Sequence, residues 1–302
     1  MHLHTEDNRN ITRLHARGPG GTVELHTAEW NDDLHNVAHV IASGETEGYY
    51  TDFAEDRWRK YARALAEGFA YQGEESRHEG GPRGEPSAHM PPLAFVDFLQ
   101  NHDQVGNRAF GERLTALAPA PLVKSLTAIL LLAPHVPLLL MGEEWGERGP
   151  FVFFTDFAGE LADAVRDGRR KEFAGFAAFK GDEAREHIPD PNDPAAFEAS
   201  KLDWSARDGD DGRAWLGFVS ALLAVRAREV VPHLAGARAG GRVVEAEDGR
   251  VGVEWPLDGA TLRLRARLVP EGDDPAPPPG RVIWTGGAAL APYAVTMTLE
   301  AA

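Results

Sequence analysis

Residues 95–108 read Phe95-Val-Asp-Phe-Leu-Gln-Asn-His-Asp-Gln-Val-Gly-Asn-Arg108, an apolar segment that passes directly into a polar one. The apolar part follows a proline turn at 90–93 and is typical of a strand buried on both faces. Six of the last eight residues carry hydrogen-bonding side chains. Buried parallel strands that end in such clusters deliver them to the carboxyl edge of a sheet or barrel, where α/β enzymes bind ligands. The stretch therefore predicts one strand of a parallel α/β fold.

Three further predicted strands end in the same way. The strand over 2–5 runs into Glu6-Asp-Asn-Arg-Asn10, that over 22–30 into Trp30-Asn-Asp-Asp-Leu-His35, and that over 136–141 into Gly142-Glu-Glu-Trp-Gly146. Predicted helices over 34–43, 53–70 and 121–133 separate the strands. This alternation predicts a parallel sheet whose polar clusters share one rim.

The sequence pattern changes beyond Pro232. Five β-rich segments follow, separated by Gly, Asp and Pro clusters, at 242–246, 251–255, 261–268, 281–284 and 293–299. Short alternating segments of this kind predict a small antiparallel β-domain. We place the boundary near 235, which gives an α/β domain over 1–234 and a β-domain over 235–302.

Composition restricts the partners of the chain. It has 302 residues and a net charge of −16, which argues against nucleic acid because phosphate binding needs a basic face. The absence of Cys excludes disulfides and thiolate catalysis and fits a reducing cytoplasm. Neither a signal peptide nor an apolar run of about 18 residues is found, so we expect a cytoplasmic protein without a membrane span.

The first residues allow more than one interpretation. His2, His4 and Glu6 share one face of a strand. A His-x-His pair can bind zinc, with a later carboxylate such as Asp103 completing the site of a metal-dependent hydrolase. Alternatively, Glu6 is presented for acid/base work, or the tail is merely polar. Because the pair lacks recognisable third and fourth ligands, we expect no metal and no cofactor.

The four polar clusters resemble those of the alpha-amylase superfamily of glycoside hydrolases, and within it those of the maltooligosyltrehalose trehalohydrolases. The motifs are Thr5-Glu-Asp-Asn-Arg-Asn10, Glu29-Trp-Asn-Asp-Asp-Leu-His35, Phe98-Leu-Gln-Asn-His-Asp-Gln-Val-Gly-Asn-Arg108 and Leu140-Met-Gly-Glu-Glu-Trp-Gly146. The run from Asn101 to Arg108 is the most specific of these. The resemblance covers nearly the whole chain and is strongest over 1–157. It implies a (β/α)8 TIM barrel followed by a C-terminal β-domain.

The resemblance also implies roles for individual residues. Glu6 matches the general acid/base at the end of the fifth barrel strand, and Asp103 matches the aspartate that stabilises the distorted sugar and the transition state. The implied substrate-binding residues are Asn101, His102, Gln104, Asn107 and Arg108 in the central stretch, together with Trp30, Asp33 and His35. The implied substrate is maltooligosyl trehalose or a related α-glucan. Retaining hydrolysis of the α-1,4 bond next to its terminal trehalose unit would release trehalose.

The chain departs from the superfamily pattern in one respect. The nucleophilic aspartate of the superfamily lies some tens of residues before the general acid, whereas five residues precede Glu6 here. Four predicted strands also fall short of the eight that close a barrel. We therefore expect the second half of a barrel, from strand five onward, which is inactive alone because neither Asp7 nor Asp32 follows a strand at the matching position. Its open strand edge would favour association with another chain.

Other functions stay open at this stage. Another alpha-amylase family glucan hydrolase or a branching enzyme would share the same chemistry. A non-catalytic remnant or carbohydrate-binding scaffold is compatible with the unmatched nucleophile.

Overall fold

The computed structural model describes residues 2–173, 181 and 186–302. The chain divides into two compact units. The first unit comprises Met1–Leu99, Ala118–Leu138 and Phe218–Ala302, and the second comprises Gln100–Leu117 and Leu139–Gly217. Because each unit combines segments that are distant in sequence, tertiary contacts rather than chain order define the units.

The strands of the described residues are numbered in chain order. They are β1 His4–Thr5, β2 Ala28–Trp30, β3 Glu74–Ser76, β4 Gly81–Arg83, β5 Phe95–Asp97, β6 Val136–Pro137, β7 Arg242–Glu247, β8 Arg250–Leu257, β9 Ala260–Arg267, β10 Arg281–Thr285 and β11 Ala294–Ala301.

The α-helices are numbered in the same way. They are α1 Asp32–Ser43, α2 Thr51–Ala54, α3 Arg57–Glu67, α4 His102–Gly106, α5 Leu114–Leu117, α6 Ala120–Leu132, α7 Gly159–Glu172, α8 Pro194–Ala199, α9 Trp204–Asp208 and α10 Asp210–Val225. A π-helical turn over Arg226–Val230 follows α10.

A four-stranded parallel sheet lies in the first unit. Its order is β1-β2-β5-β6, and every neighbouring pair is parallel. Thr5 pairs with Glu29, and Trp30 pairs with Val96. The predicted parallel α/β arrangement of four strands is confirmed. Because the strands are parallel, the residues that follow β1, β2 and β5 leave the sheet at the same edge.

All four parallel strands are shorter than predicted. Residues 22–27, 98–100 and 138–141 are not in strands. Phe98 and Leu99 are nevertheless fully buried. The apolar run at Phe98 and Leu99 thus reflects burial and not backbone pairing. The predicted strands over 22–30 and 136–141 also extended too far, and Val23, Leu25 and Met141 in these segments are exposed.

The helix α1 begins directly after the rim of β2. The side chain of Asn31 caps the helix by accepting a hydrogen bond from the Leu34 N–H at 3.3 Å. The predicted helix over 53–70 is instead divided into α2 and α3. Asp56 separates them with a φ of 52°, a left-handed conformation that interrupts the helical hydrogen bonds.

The segment 73–92 contains the antiparallel pair β3–β4. The buried carboxylate of Asp52 holds this pair in place. It accepts hydrogen bonds from the Ser76 hydroxyl at 2.5 Å and from the backbone N–H groups of Arg77 and His78 at 2.9 and 3.2 Å.

The core beside the parallel sheet is aromatic and aliphatic. The Phe95 ring of β5 meets the Phe69 ring edge-on, with ring centroids 5.1 Å apart. Helix α6 buries most of its side chains, as its apolar sequence predicted. Each fully buried side chain of this size contributes about 1.5–3 kcal/mol of apolar transfer free energy.

A five-stranded antiparallel sheet of order β10-β11-β9-β8-β7 also lies in the first unit. Along β9, Leu262, Leu264 and Ala266 are fully buried, in the period-two pattern that predicted the strand. Trp255 of β8 is fully buried and donates its indole N–H to the Leu65 carbonyl of α3 at 2.8 Å. The predicted sheet is confirmed, and the domain boundary at 235 stays a prediction.

The second unit contains α4, α5, α7, α8 and α9. Its buried Arg113 donates to the carbonyl groups of Met141 and Gly149 at 2.9 and 2.8 Å. The Gln100 side chain accepts the Leu114 N–H at 2.7 Å.

No helix in the described part of the chain combines the length and apolar character needed to cross a bilayer.

Candidate active site

Glu6 lies in the loop that leaves the parallel sheet after β1, and its side chain is exposed. The residues on either side of it are held by Glu29 of β2. One carboxyl oxygen of Glu29 accepts the Thr5 hydroxyl at 2.5 Å, and the other accepts the Asp7 N–H at 2.5 Å. Glu29 itself is fully buried.

A buried histidine completes this group. His15 Nε2 lies 2.7 Å from the Thr5 hydroxyl and 3.3 Å from the Glu29 carboxyl. Burial raises the pKa of Glu29 to about 7 and lowers the pKa of His15 to about 4. Both side chains are consequently neutral between these values, because desolvation disfavours their charged forms.

The remainder of the loop after Glu6 is also held. The Asp7 carboxylate accepts hydrogen bonds from Arg9, which lower the pKa of Asp7. Arg83 donates to the Asn8 carbonyl at 2.7 Å, and the Asn10 amide donates to Asp33 at 2.9 Å. The backbone that carries Glu6 is therefore fixed at several successive positions.

Asp33, predicted to bind substrate, is fully buried in the first turn of α1. One of its oxygens accepts the Asn10 amide and the backbone N–H groups of Ala70 and Tyr71, each at 2.9 Å. The other accepts Arg83 at 2.5 Å. These contacts join three segments of the first unit, so an anchoring role is visible, while substrate binding by Asp33 stays a prediction.

Trp30 and His35 lie near Phe98 in the same unit. The Trp30 ring meets the Phe98 ring edge-on at 5.9 Å, and the His35 ring stacks on it at 5.9 Å. His35 is buried, and its Nδ1 lies 2.5 Å from the Leu99 carbonyl oxygen. Trp30 is half-buried, and contact of either residue with substrate stays a prediction.

In the second unit, Asn101 is buried and caps α4 by accepting the Gln104 N–H at 2.8 Å. His102 and Asp103 begin this short helix. Their side chains are 56% and 47% exposed and approach each other to 3.5 Å. The cap thus presents both predicted site residues at the surface of their unit.

The C-terminal end of the stretch from Asn101 to Arg108 is fixed by hydrogen bonds from residues outside it. The Asn107 N–H bonds to the Asp103 carbonyl at 2.8 Å, and the Asn107 side chain is exposed. Arg108 contacts Glu112 at 3.2 Å, and Arg169 donates to the carbonyl groups of Gly106 and Arg108 at 2.6 and 2.7 Å. Sugar contacts of Gln104, Asn107 and Arg108 stay predictions.

The predicted site residues are distributed over both compact units. Glu6, Trp30, Asp33 and His35 belong to the first, and the residues from Asn101 to Arg108 belong to the second. The convergence of Glu6 with His102 and Asp103 in one cleft stays a prediction.

Three features of the two units were not predicted from the sequence. In the first unit this is Glu29, whose only local signal is a carboxylate in a strand one residue before the rim. In the second unit, Glu143 accepts the Leu140 N–H at 2.6 Å, and burial raises the pKa of Glu143 to about 7. A cavity of about 370 Å³ in that unit is lined largely by aromatic rings, namely those of Phe151, Phe154, Phe197 and Trp204.

His2 and His4 are exposed, and His2 Nδ1 lies 3.4 Å from the Thr27 hydroxyl. Within the described residues, no group of three His, Cys, Asp or Glu side chains has the arrangement of a metal site.

Known proteins define the class to which these features point. No family model matches the chain. A candidate alpha-amylase from Salmonella typhimurium, a solved structure, is 49% identical and superposes with a TM-score of 0.92 over 99% of this chain and 51% of its own. The chain thus has the fold of about half of that protein, and it is related to enzymes of the alpha-amylase family.

Within that class, the chain is related to malto-oligosyltrehalose trehalohydrolases, as the motifs indicated. The Deinococcus radiodurans enzyme is 40% identical over 237 residues, which is 76% of this chain and 37% of that protein. The Arthrobacter ramosus enzyme is 38% identical over 248 residues, which is 80% of this chain and 40% of that protein. The chain therefore spans about two fifths of the length of the curated relatives it matches.

Proposed function

We propose that the chain supplies the second half of a (β/α)8 barrel and the β-domain of a retaining glycoside hydrolase. The proposed reaction hydrolyses the α-1,4 bond next to the terminal trehalose unit of maltooligosyl trehalose and releases trehalose. The observation that carries the proposal is the 40% identity over 237 residues to a malto-oligosyltrehalose trehalohydrolase.

In this proposal Glu6 is the general acid and base. Its carboxylic acid protonates the glycosidic oxygen as the bond breaks, and its carboxylate then removes a proton from the attacking water. The exposure of Glu6 and the fixed backbone around it support this role. Asp103 would stabilise the positive charge of the oxocarbenium-like transition state, and His102 would hydrogen-bond the sugar hydroxyls.

A retaining mechanism also needs a nucleophile on the opposite face of the anomeric carbon, about 5 Å from the acid. None of the carboxylates in the 302-residue sequence matches the superfamily's nucleophile by motif. We therefore expect the chain by itself to release no trehalose and a form extended upstream to be active, because loss of the nucleophile removes several orders of magnitude of rate.

The test is an assay of both forms on maltooligosyl trehalose, with trehalose separated from glucose and maltose by chromatography. Trehalose release by the extended form, lost in Glu6→Gln and in Asp103→Asn, would support the proposal. Release by the 302-residue chain alone would mean that a nucleophile is present after all. Full activity in Glu6→Gln would remove Glu6 from its role.

A second candidate function is hydrolysis or branching of ordinary α-glucans. The 49% identity to the candidate alpha-amylase of Salmonella typhimurium favours it. The same assay with maltoheptaose and amylose distinguishes the two activities. Products that lack trehalose would assign the glucan activity, and binding without turnover by the extended form would assign a carbohydrate-binding scaffold.

The cellular setting follows from the same proposal. The substrate is a neutral α-glucan, and the acidic chain is expected in the cytoplasm without nucleic acid or membrane partners. We expect the first strand, β1, to be the open edge at which another polypeptide segment pairs, because it borders the sheet on one side.

A further inference from the structure

The carboxyl group of Glu29 bridges the two residues that flank Glu6. It accepts the Thr5 hydroxyl with one oxygen and the Asp7 N–H with the other, both at 2.5 Å. We propose that Glu29 is a positioning residue that fixes the backbone on both sides of Glu6 and thereby aims the acid/base at the glycosidic oxygen. This inference rests on the proposed function, since it takes Glu6 as the acid/base.

The position of Glu29 suits this role because it does not depend on the loop it restrains. Glu29 belongs to β2, which pairs with β1 on one side and with β5 on the other. Thr5 is its direct partner across the strands. The two hydrogen bonds therefore tie the loop to the interior of the sheet, immediately before and immediately after Glu6.

A direct catalytic role does not fit Glu29. Its side chain is fully buried, so it does not reach a substrate bound at the surface that exposes Glu6. It acts on the reaction only through Glu6. Misplacing a reacting group by about 1 Å costs roughly 100-fold in rate, which sets the expected size of the effect.

His15 makes the restraint independent of the charge on Glu29. In one arrangement, His15 Nε2–H donates to the Thr5 hydroxyl, which donates to the Glu29 carboxylate. In the other, protonated Glu29 donates to the Thr5 hydroxyl, which donates to His15 Nε2. The Asp7 N–H is bound in both arrangements. An amide can reproduce the second arrangement, so Gln should replace Glu29 with little loss.

Asp52 provides a matched control. It is likewise a buried carboxylate in the first unit that binds one hydroxyl and backbone N–H groups. The groups that donate to its carboxylate belong to Ser76, Arg77 and His78 and not to Thr5 or Asp7. Asp52→Ala therefore carries the cost of losing a buried carboxylate while the two hydrogen bonds from Thr5 and Asp7 to Glu29 stay in place.

The kinetic test compares Glu29→Ala, Glu29→Gln and Asp52→Ala in the form of the protein that releases trehalose. We expect Glu29→Ala to lower kcat about 100-fold with KM within about threefold, since positioning acts on the transition state. Glu29→Gln and Asp52→Ala should keep kcat within about fivefold, because each retains the restraint on Glu6. Equal losses in Glu29→Ala and Asp52→Ala, or in Glu29→Ala and Glu29→Gln, would overturn the inference.

A second measurement on the 302-residue chain needs no activity. Amide hydrogen exchange followed by NMR should show a protected Asp7 N–H in the wild type and in Glu29→Gln. We expect this amide to exchange at least about tenfold faster in Glu29→Ala and not in Asp52→Ala. Unchanged protection in Glu29→Ala would overturn the inference whatever the activity. Activity retained by Glu6→Gln would instead contradict the proposed function, while the exchange data still decide whether Glu29 restrains the loop.

Discussion

At the scale of single residues, Thr5 joins two buried ionisable side chains whose pKa values move in opposite directions. Burial raises the pKa of Glu29 from 4.5 to about 7 and lowers that of His15 from 6.5 to about 4. Around pH 5–6 the 3.3 Å approach of these side chains is a contact between neutral groups and not an ion pair. Desolvation therefore outweighs their mutual attraction.

These shifts predict a pH dependence of stability. Glu29 binds its proton more tightly in the folded state, so its contribution is present below pH 4.5 and is lost as the pH rises towards 7. The contribution of His15 is present above pH 6.5 and is lost as the pH falls towards 4. In the wild type the two slopes largely cancel between pH 4.5 and 6.5.

Glu29→Gln should remove the pH dependence of stability that Glu29 contributes and leave the one that His15 contributes. Its free energy of unfolding should then rise with pH, relative to the wild type, by up to about 1.4 kcal/mol per pH unit between pH 4.5 and 6.5. Urea unfolding at several pH values measures this, and His15→Gln should show the opposite slope. If the free energy of unfolding changed with pH in the same way in Glu29→Gln and in the wild type, the pKa shifts assigned to Glu29 and His15 would be contradicted.

At the scale of elements, helix ends determine how the parallel sheet is packed. Helix α3 is followed by its cap residue Gly68, whose φ is 98° and whose carbonyl accepts the Asn31 amide at 2.7 Å. A Cβ at this position would lie 2.1 Å from the Phe95 ring. Helix α1 is followed by its cap residue Gly44 with a φ of 76°, and a Cβ there would meet no atom within 4 Å.

The two glycines make a matched pair of variants. Gly44→Ala adds only the cost of a left-handed residue, about 1–2 kcal/mol. Gly68→Ala adds to this cost the displacement of a buried ring, for a total of about 3 kcal/mol or more. Chemical unfolding of both variants measures the difference. Equal losses in the free energy of unfolding would mean that the Phe95 ring can move aside without destabilising the fold.

The C-terminal end of α6 depends on one arginine. Buried Arg226 donates to the carbonyl groups of Leu131, Ala133 and His135, with 3.1 Å to the first and 2.6 Å to the last. Burial also lowers the pKa of Arg226 to about 10. The guanidinium thus binds the carbonyl of Leu131 in the last turn of α6, which has no intrahelical partner, and two carbonyls of the residues that follow the helix.

Arg226→Met should therefore keep most of the packing and lose the hydrogen bonds. We expect a loss of about 3 kcal/mol in the free energy of unfolding, because buried carbonyl groups are left unpaired. Arg228→Met is the control, since Arg228 is 63% exposed and pairs with Glu229 at the surface; its loss should stay below about 1 kcal/mol. Similar values for both variants would contradict the capping role of Arg226.

At the scale of the whole molecule, the first compact unit includes both the parallel and the antiparallel sheet. Trp255 of β8 joins them through α3, since its indole N–H reaches the Leu65 carbonyl across 190 positions of sequence. Trp284 of β10, by comparison, is half-buried and meets Phe218 edge-on at 6.2 Å.

The substitution Trp255→Ala should destabilise helix α3 as well as the antiparallel sheet that carries Trp255. We expect a loss of about 3–5 kcal/mol and faster amide exchange in α3, because the variant leaves a cavity and an unpaired carbonyl. Trp284→Ala should cost less and leave α3 unchanged. If α3 exchanged at the wild-type rate in Trp255→Ala, the β-domain would be stable independently of the residues before 235.

The sequence by itself determined the elements whose pattern is local. The antiparallel strands β7 to β11 were predicted to within two residues, since alternation at a period of two reflects one buried face directly. The four parallel strands and the family resemblance also follow from short stretches of sequence. The motif from Asn101 to Arg108 carried most of that resemblance.

Only the tertiary structure decided where the parallel strands end and what Glu29 and Asp33 bind. The residues after Asp97 are as apolar as a strand but pair no further, because backbone pairing depends on the neighbouring strand and not on hydrophobicity. Glu29 meets His15, and Asp33 meets Tyr71 and Arg83, all distant in sequence. Burial and hydrogen bonding of a carboxylate arise only when such segments meet, so its pKa and its role as an anchor are properties of the fold.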